Sequence, residues 1–270
     1  MSVVEAWLGD LRRILGGERT PVSDVRIGVF YTAARLASGE TAVAFTPRDL
    51  SDTVCCPRTA AAAPRAGRHV GEDAWVLAED ALSPVALRRA VGVAVLNALS
   101  ARAMARAGIP GARVLAGVDA LAAAEVQPED RVTMVGAFVP FLRALEGRVA
   151  ELLVVDKHPG ALKDDERPLW RPPAEAEAAL SRATVVLMTG SVLVETGIDA
   201  LLAAARGARR VVMAGPTASP WPPPFFARGV HVLGGTRVRD GDAMLRLVGE
   251  GGSGYFFEGI AEKVCFVRAE

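Results

Sequence analysis

The chain has 270 residues, enough for one large domain or two smaller ones with an extensive core. Its 31 basic and 31 acidic residues cancel, which argues against a nucleic-acid-binding protein, because such proteins usually carry a basic excess. Hydrophobic residues make up 51% of the chain and aromatic residues only 6%, so we expect a core built mainly from Ala, Val and Leu.

Targeting and disulfide signals are absent from the sequence. No apolar run approaches the ~20 residues that a membrane-spanning helix needs, and the first residues lack the pattern of a signal peptide. Three cysteines, Cys55, Cys56 and Cys265, do not form a disulfide framework. We therefore expect a cytoplasmic protein.

The first element in chain order is predicted to be an amphipathic helix. Ser2 and Glu5 have the spacing of a capping box, and apolar residues then recur on one helical face as far as Leu15. Gly16 and Gly17 follow and are typical of a helix end.

A β-hairpin is predicted next. Residues 25–31, VRIGVFY, alternate between apolar and polar side chains and predict one strand, and residues 40–45, ETAVAF, predict another. Ser38 and Gly39 provide a turn between them. Residues 58–73 show no clear period and predict a loop.

A long helix follows the loop. Ser83 is its predicted cap, Pro84 suits its first turn, and Gly108 is predicted to end it. The helix should cover the hairpin, which gives an α+β N-terminal domain. Residues 107–114 are the predicted linker, and the domains are expected to span 1–112 and 113–270.

The second half alternates short apolar runs with helical segments, which predicts a parallel sheet covered on both faces. Thr196 with Asp199 is predicted to cap one of the helices and Asp240 another, and the tail after 254 predicts a last helix or strand. The fold class is therefore α/β, with a Rossmann-like, doubly wound second domain from about residue 118 to 254. The five apolar runs are 132–135, 152–155, 184–188, 210–213 and 230–233.

The ends of these predicted strands carry glycines, hydroxyls and ionisable groups. Ligands of doubly wound sheets bind beyond the carboxyl ends of the strands, so these turns should share one crevice. The candidate ligand-binding residues are Gly136, Phe138, Asp156, His158, Thr189, Gly190, Ser191, Glu195, Gly215, Pro216, Thr217 and Gly235.

The turn at Gly136 does not match the dinucleotide-binding fingerprint G-x-G-x-x-G. Ala137 and Phe138 follow Gly136, and the fingerprint requires a second glycine where Phe138 stands. Asp156 lies 20 residues further on, the usual position of a ribose-binding acid. A surface carboxylate paired with Lys157 explains Asp156 equally well, so both interpretations remain open.

Metal-ligating and catalytic patterns are weak. Asp156 and His158 could supply two ligands from one loop, and Cys55 and Cys56 are adjacent thiols, but the sequence has no C-x-x-C or H-x-x-H. Ser191 is not part of G-x-S-x-G, so an esterase-type nucleophile is not expected. Ordinary structural roles explain each of these residues alone, and no catalytic residue is identified.

Five segments of the second half together resemble the putative heavy-metal chelation domain family of unknown function. The combination of T-G-S at 189–191 with G-P-T at 215–217 is the most specific part, and the resemblance covers about residues 118 to 255. VRIGVFYTAARL and the following hairpin resemble the enolase N-terminal-like domain that precedes such domains. The five segments are VTMVGAFVPFLRAL, LLVVDKHPG, ATVVLMTGSVLVETGIDALL, VVMAGPTASPWPPPFF and GVHVLGGTRVRD.

The resemblance implies a bacterial or archaeal protein that handles a metal or metallocofactor, with a small ligand in a cleft between two domains. The ligand would be a divalent transition metal or a nucleotide-like molecule. The alternatives are an enzyme with a nucleotide-like cofactor, such as an S-adenosylmethionine-dependent transferase or a pterin-modifying enzyme, and a non-catalytic scaffold. We expect a small-molecule or metal partner, neither nucleic acid nor membrane, and a homodimer because this is the commonest assembly.

Overall fold

The computed structural model describes residues 1–48 and 64–269, and the chain forms two β-sheets within them. Cys55, Cys56 and residues 58–63 of the predicted loop lie outside the described residues. None of the helices in the described ranges has the length and apolarity that crossing a bilayer requires.

The N-terminal part of the chain forms an antiparallel three-stranded sheet in the order β1-β2-β3, on which a long helix packs. The amphipathic first helix has the predicted capping box at Ser2 and Glu5 and ends at Gly16 in a left-handed conformation. The elements are α1 (Val3–Leu15), β1 (Val22–Ile27), β2 (Tyr31–Leu36), β3 (Thr41–Phe45), α2 (Ala74–Glu79) and α3 (Ala86–Ala107).

The prediction of a single strand over residues 25–31 is wrong. The Gly28 amide donates to the Tyr31 carbonyl at 2.9 Å, which closes a tight turn between β1 and β2. The apolar alternation continues across this reversal and therefore conceals it. The predicted turn at Ser38 and Gly39 is confirmed, but it joins β2 to β3.

The start of α3 also differs from the prediction. Ser83 accepts a hydrogen bond from the amide of Val85 at 3.2 Å, so its side chain closes a turn before the helix and does not cap it. The helix begins at Ala86 with no side-chain cap, and its predicted end at Gly108 is confirmed.

The second sheet has eight strands in the order β4-β11-β10-β9-β8-β5-β6-β7. From β10 to β7 all neighbours are parallel, whereas β11 is antiparallel to both β10 and β4, so the sheet is mixed and not entirely parallel. The predicted linker contributes β4, and the tail forms β11. The strands are β4 (Ala112–Ala116), β5 (Arg131–Val135), β6 (Glu151–Val155), β7 (Trp170–Arg171), β8 (Val185–Thr189), β9 (Arg210–Ala214), β10 (Val232–Val238) and β11 (Ala261–Arg268).

Both faces of the central strands are buried, as their continuous apolar runs predict. In β8, Val186 and Met188 join the hydrophobic cluster that contains α1 and α3, while Val185 and Leu187 join the cluster on the other face. The connecting helices are α4 (Ala120–Ala124), α5 (Val139–Leu145), α6 (Ala176–Arg182), α7 (Ile198–Ala204), α8 (Pro223–Phe226) and α9 (Gly241–Gly249).

One of the two predicted helix caps in the second half is confirmed. The Asp240 side chain accepts a hydrogen bond from the Ala243 amide at 2.9 Å and caps α9. Neither Thr196 nor Asp199 caps α7, because the N-cap residue is Gly197, with φ of 98°. Asp199 instead accepts from the amide of Val3 at 2.9 Å, so a contact distant in sequence has taken its carboxylate.

The order of the strands creates a switch point. The chain passes from β5 outward to β6 and β7 and then returns to β8 on the other side of β5. The connections that leave β5 and β8 therefore diverge and open a crevice at the carboxyl ends of these strands.

The N-terminal part is fixed beside this crevice by buried hydrogen bonds. The side-chain amide nitrogen of Asn97, in α3, donates to the carbonyl oxygens of Val43 and Thr217, at 3.0 Å each. The Phe45 amide donates to Thr217 Oγ1 at 2.9 Å. The end of β3 is thus attached to the loop that follows β9.

Candidate functional site

A cavity of about 1270 Å³ lies at the carboxyl ends of β5, β6, β8 and β9. Loops after these strands, with α6 and α7, form one wall, and the start of β2, the end of β3 and the start of α3 contribute a second, N-terminal wall. We call this space the strand-end cavity. Its position agrees with the rule that ligands of open α/β sheets bind beyond the carboxyl ends of the strands.

Gly136 forms the corner after β5 and packs against Thr189, the last residue of β8. Its φ is 85°, and a Cβ at this position would lie 2.4 Å from Thr189 Oγ1. A larger residue would therefore be strained and would also collide with Thr189. The space that a glycine leaves open for a phosphate in a dinucleotide site is filled here by the threonine.

Asp156, directly after β6, organises the strand-end loops through its carboxylate. One oxygen accepts from the Ala137 amide at 2.8 Å and the other from the His158 amide at 2.9 Å. Asp156 therefore joins the turn after β5 to the turn after β6. It does not pair with Lys157, so this interpretation from the sequence is wrong.

Lys157 instead forms an ion pair with Glu195, from the loop after β8. The Arg89 guanidinium supports the same loop, because its Nε donates to the Val194 carbonyl. Arg89 is 8% exposed, and burial lowers its pKa, an effect that Glu195 partly opposes. Two cations thus hold the loop after β8 from two sides.

Hydroxyl groups line the middle of the strand-end cavity. Thr189 Oγ1 and Ser191 Oγ are 2.6 Å apart and share a hydrogen bond. Gly190 lies between them, and a Cβ there would lie 2.7 Å from the amide nitrogen of Ala218. The T-G-S segment therefore requires glycine for close packing against the loop after β9, while its hydroxyls line the cavity.

The residues that the N-terminal part contributes to the cavity were not identified from the sequence. Tyr31 begins β2, Phe45 ends β3, Pro47 and Arg48 follow β3, and Ala86 begins α3. Burial raises the pKa of Tyr31 to about 12, so its phenol stays neutral at physiological pH. The sequence signal for this wall was weak: Pro47 and Arg48 lie shortly after the predicted strand at residues 40–45.

The structure brings eleven of the twelve predicted ligand-binding residues to the strand-end cavity and leaves one away from it. Gly235 does not line the cavity, because β10 continues to Val238 and a Cβ at Gly235 would meet Ser219 Oγ at 2.3 Å. The eleven predicted residues that line the cavity are Gly136, Phe138, Asp156, His158, Thr189, Gly190, Ser191, Glu195, Gly215, Pro216 and Thr217.

Residues 1–48 and 64–269 do not place three His, Cys, Asp or Glu side chains where they could hold one metal ion together. His158 is exposed on its loop, and its neighbour Asp156 already accepts two backbone hydrogen bonds. Cys265 is buried in β11, and desolvation raises its pKa to about 11. The described donor set therefore does not fit direct chelation of a heavy metal.

Unlike His158, the other two histidines lie away from the cavity lining. His69 is 8% exposed, and burial lowers its pKa. His231 directly precedes β10, and its Nδ1 accepts a hydrogen bond from the Val211 amide at 3.0 Å. This hydrogen bond gives His231 a structural role, and burial lowers its pKa.

Comparison with protein families gives two matches that carry the same description. The DUF364 model, "Putative heavy-metal chelation", matches residues 119–267, more than half of the chain. The DUF4213 model, also "Putative heavy-metal chelation", matches residues 12–100. No curated protein matches the chain.

Two solved structures are similar over nearly the whole chain. A protein of unknown function from the DUF364 family of Pyrococcus horikoshii is 18% identical, with a TM-score of 0.72, and the alignment covers 98% of this chain and 99% of that one. A DUF364 protein of unknown function from Desulfitobacterium hafniense DCB-2 is 19% identical, with a TM-score of 0.75 and coverage of 98% and 100%. At these identities the similarity establishes a common fold.

Proposed function

Since the chain belongs to the DUF364 family, described as "Putative heavy-metal chelation", we propose that it binds a metal-chelating small molecule, or the metal complex of one, in the strand-end cavity. The observation that carries this proposal is a large cavity whose mainly small and apolar lining carries several polar side chains, and among the described residues these do not converge on one ion. The metal would enter with its ligand, and the protein would recognise the complex.

The size of the cavity supports a molecular ligand. Small-molecule sites usually enclose about 300–1,000 Å³, and the strand-end cavity has about 1270 Å³. A bare ion needs several protein ligands within about 2.0–2.6 Å, which requires a compact cluster of donors. A chelate supplies these donors itself and leaves the protein to contact its outer surface.

The lining has the hydrogen-bonding groups that this recognition needs. Thr189 and Ser191 bring hydroxyls, His158 brings an imidazole, and Arg48 brings a guanidinium from the N-terminal wall. All four can contact carboxylate oxygens, which are the outer atoms of common chelators.

The division into two domains, 1–112 and 113–270, is part of the same proposal. The large sheet begins with β4 at Ala112, and the cavity has walls from both sides of this boundary. The switch point between β5 and β8 supports a Rossmann-like second domain, and the sheet with its covering helix supports the enolase N-terminal-like description of the first.

Thermal unfolding with metals in two forms tests the proposal. We expect complexes of Fe, Ni, Co, Cu or Zn with small carboxylate chelators to raise the melting temperature, and the bare ions to have no such effect. A ligand at 100 times its dissociation constant stabilises by about 2.7 kcal/mol. Thr189→Ala and Ser191→Ala should reduce the response, whereas Ser181→Ala, on an exposed serine elsewhere, should not.

The double variant Cys55→Ser, Cys56→Ser is the control for direct chelation. A response to bare ions that disappears in this variant would assign metal binding to the cysteines and contradict the proposal. No response to any chelate or ion, together with no metal in freshly purified protein, would also reject it.

An enzyme that uses a nucleotide-like cofactor is the alternative function. Asp156 lines the cavity at the expected strand end, but both of its carboxylate oxygens accept backbone hydrogen bonds and Thr189 fills the space beside Gly136. Adding S-adenosylmethionine, NAD, ATP and pterins to the same thermal assay separates the two functions. Stabilisation by one of these compounds alone would favour the enzyme.

A further inference from the structure

The N-terminal wall of the strand-end cavity is aromatic and carries a cation. Tyr31 and Phe45 line this wall, and Arg48 lies beside them. The guanidinium carbon of Arg48 lies 5.0 Å from the centre of the Phe30 ring, a cation–π contact. The wall therefore presents flat apolar surface and a positive charge side by side.

The Tyr31 ring is held from behind by the core. It packs on Phe257, with 5.2 Å between the ring centres and 49° between the planes. Phe257 is 5% exposed, so this support is itself buried. An aromatic surface fixed in this way loses little conformational entropy when a ligand binds to it.

Two exposed aromatic side chains, Tyr255 and Phe256, lie on a turn that packs against the cavity lining, and we call them the rim residues. Tyr255 is 81% exposed and Phe256 is 64% exposed. The turn that carries them, residues 254–256, is anchored at Gly254, where a Cβ would lie 3.1 Å from Tyr31 Oη and 3.7 Å from Pro216 Cγ. Tyr31 and Pro216 both line the cavity, so the turn that carries the rim residues borders it.

We propose that the ligand is an aromatic carboxylate. Its planar ring stacks on Tyr31 and the rim residues Tyr255 and Phe256, and its carboxylate pairs with Arg48. Arg combines stacking with bidentate recognition of carboxylates, which suits a ligand with both features. The inference rests on the proposed function and adds the chemical class of the chelator, which is aromatic and not aliphatic.

Two chelators with the same O,N,O donor set test this class. Pyridine-2,6-dicarboxylate has the donors on an aromatic ring, and iminodiacetate has them on an aliphatic chain. Calorimetric titration of the full chain with each compound, free and as its copper(II) complex, measures the preference. We expect the pyridine compound to bind about 10-fold more tightly, because stacking on one aromatic side chain is worth about this factor.

Three variants separate the contribution of the ring from that of the charge. Tyr255→Ala should weaken binding of the pyridine compound about 5-fold to 10-fold and leave iminodiacetate unchanged. Tyr255→Phe retains the ring and should bind like the wild type. Arg48→Ala should weaken both compounds, since both are dicarboxylates. Tyr255 is exposed, so its variants should keep the wild-type melting temperature in the absence of ligand.

The outcomes distinguish this inference from the proposed function. Equal affinity for the two compounds, or a preference that Tyr255→Ala does not change, would overturn the aromatic ligand and leave a chelate-binding cavity in place. Failure of both compounds to bind, free or with copper, would count against the cavity as a chelate site and against this inference with it.

Discussion

The two ends of the same parallel strands carry similar residues in different surroundings. At the amino ends, Asp130 is 3% exposed and accepts hydrogen bonds from Thr184, from the Gln127 amide and from the Arg209 guanidinium. At the carboxyl ends, Asp156 is half-buried, accepts only backbone hydrogen bonds and lines an open cavity. An aspartate near a strand end therefore has no fixed role, and its partners decide whether it closes the sheet or borders a site.

Thr184 and Thr189, at the two ends of β8, repeat this contrast. Thr184, just before the strand, donates to Asp130 at 2.7 Å within a closed cluster. Thr189, at the other end, shares its hydrogen bond with Ser191 and contacts the cavity. Five residues apart in sequence, they differ in their surroundings: one belongs to a closed cluster at the edge of the sheet, and the other borders the cavity.

The largest effect should come from Asp130→Asn. Asn cannot satisfy the guanidinium and the two other donors together, so we expect a loss of about 2–3 kcal/mol in the free energy of unfolding. Urea denaturation measures this loss. Asp156→Asn is the matched variant at the other end and should lose less, about 1 kcal/mol, and Asp164→Asn, whose side chain is 99% exposed, should change little. An equal or larger loss for Asp156→Asn would contradict the contrast.

Gly136→Ala should follow, with a loss of about 2 kcal/mol in the free energy of unfolding. Its positive φ and the collision with Thr189 both contribute. Gly147→Ala has a similar φ of 68° and open space around the Cβ, so it should lose only about 1 kcal/mol. If Thr189→Ala does not recover part of the loss in the double variant, the contact with Thr189 is not the cause.

Thr217→Val should have a smaller effect, about 1.5 kcal/mol. The substitution keeps the shape but leaves the Phe45 amide without its acceptor, which loosens the contact between the two walls of the cavity. Thr217→Ser retains the hydroxyl and is the control. Denaturation of both variants measures the difference, and equal stabilities would show that this hydrogen bond is unimportant.

The pH dependence at the amino ends should be the smallest effect, because a protonated Asp130 keeps some of its partners. Burial opposes ionisation of Asp130, but hydrogen bonds from Arg209, the Gln127 amide and Thr184 outweigh it and hold its pKa below the usual value. Its contribution is complete above the unfolded pKa, about 4, and is lost as the pH falls through the lower folded pKa. The difference in stability between wild type and Asp130→Asn should therefore begin to narrow below about pH 4, and a constant difference down to pH 3 would exclude this linkage.

Local patterns in the sequence predicted much of the fold and eleven of the residues that line the cavity. The capping box at Ser2 and Glu5, the cap at Asp240 and the central strands are confirmed, because each depends on neighbours in sequence or on burial of both strand faces. Other predictions were wrong. The turn at Gly28 was not predicted, Ser83 and Asp199 do not cap the helices predicted for them, and β10 extends further than predicted. In the case of Asp199, a backbone amide almost 200 residues away in sequence replaced the local partner.

The sequence by itself determined an α/β chain, its family and the residues at the ends of its central strands, because hydrophobic periodicity and short motifs are local properties. Only the tertiary structure decided what those residues face. It placed Tyr31 and Arg48 in the same cavity as the strand ends, turned Asp156 towards two backbone amides and filled the corner at Gly136 with Thr189. These contacts join positions far apart in the chain, and packing of the whole molecule, which no local pattern encodes, brings them together.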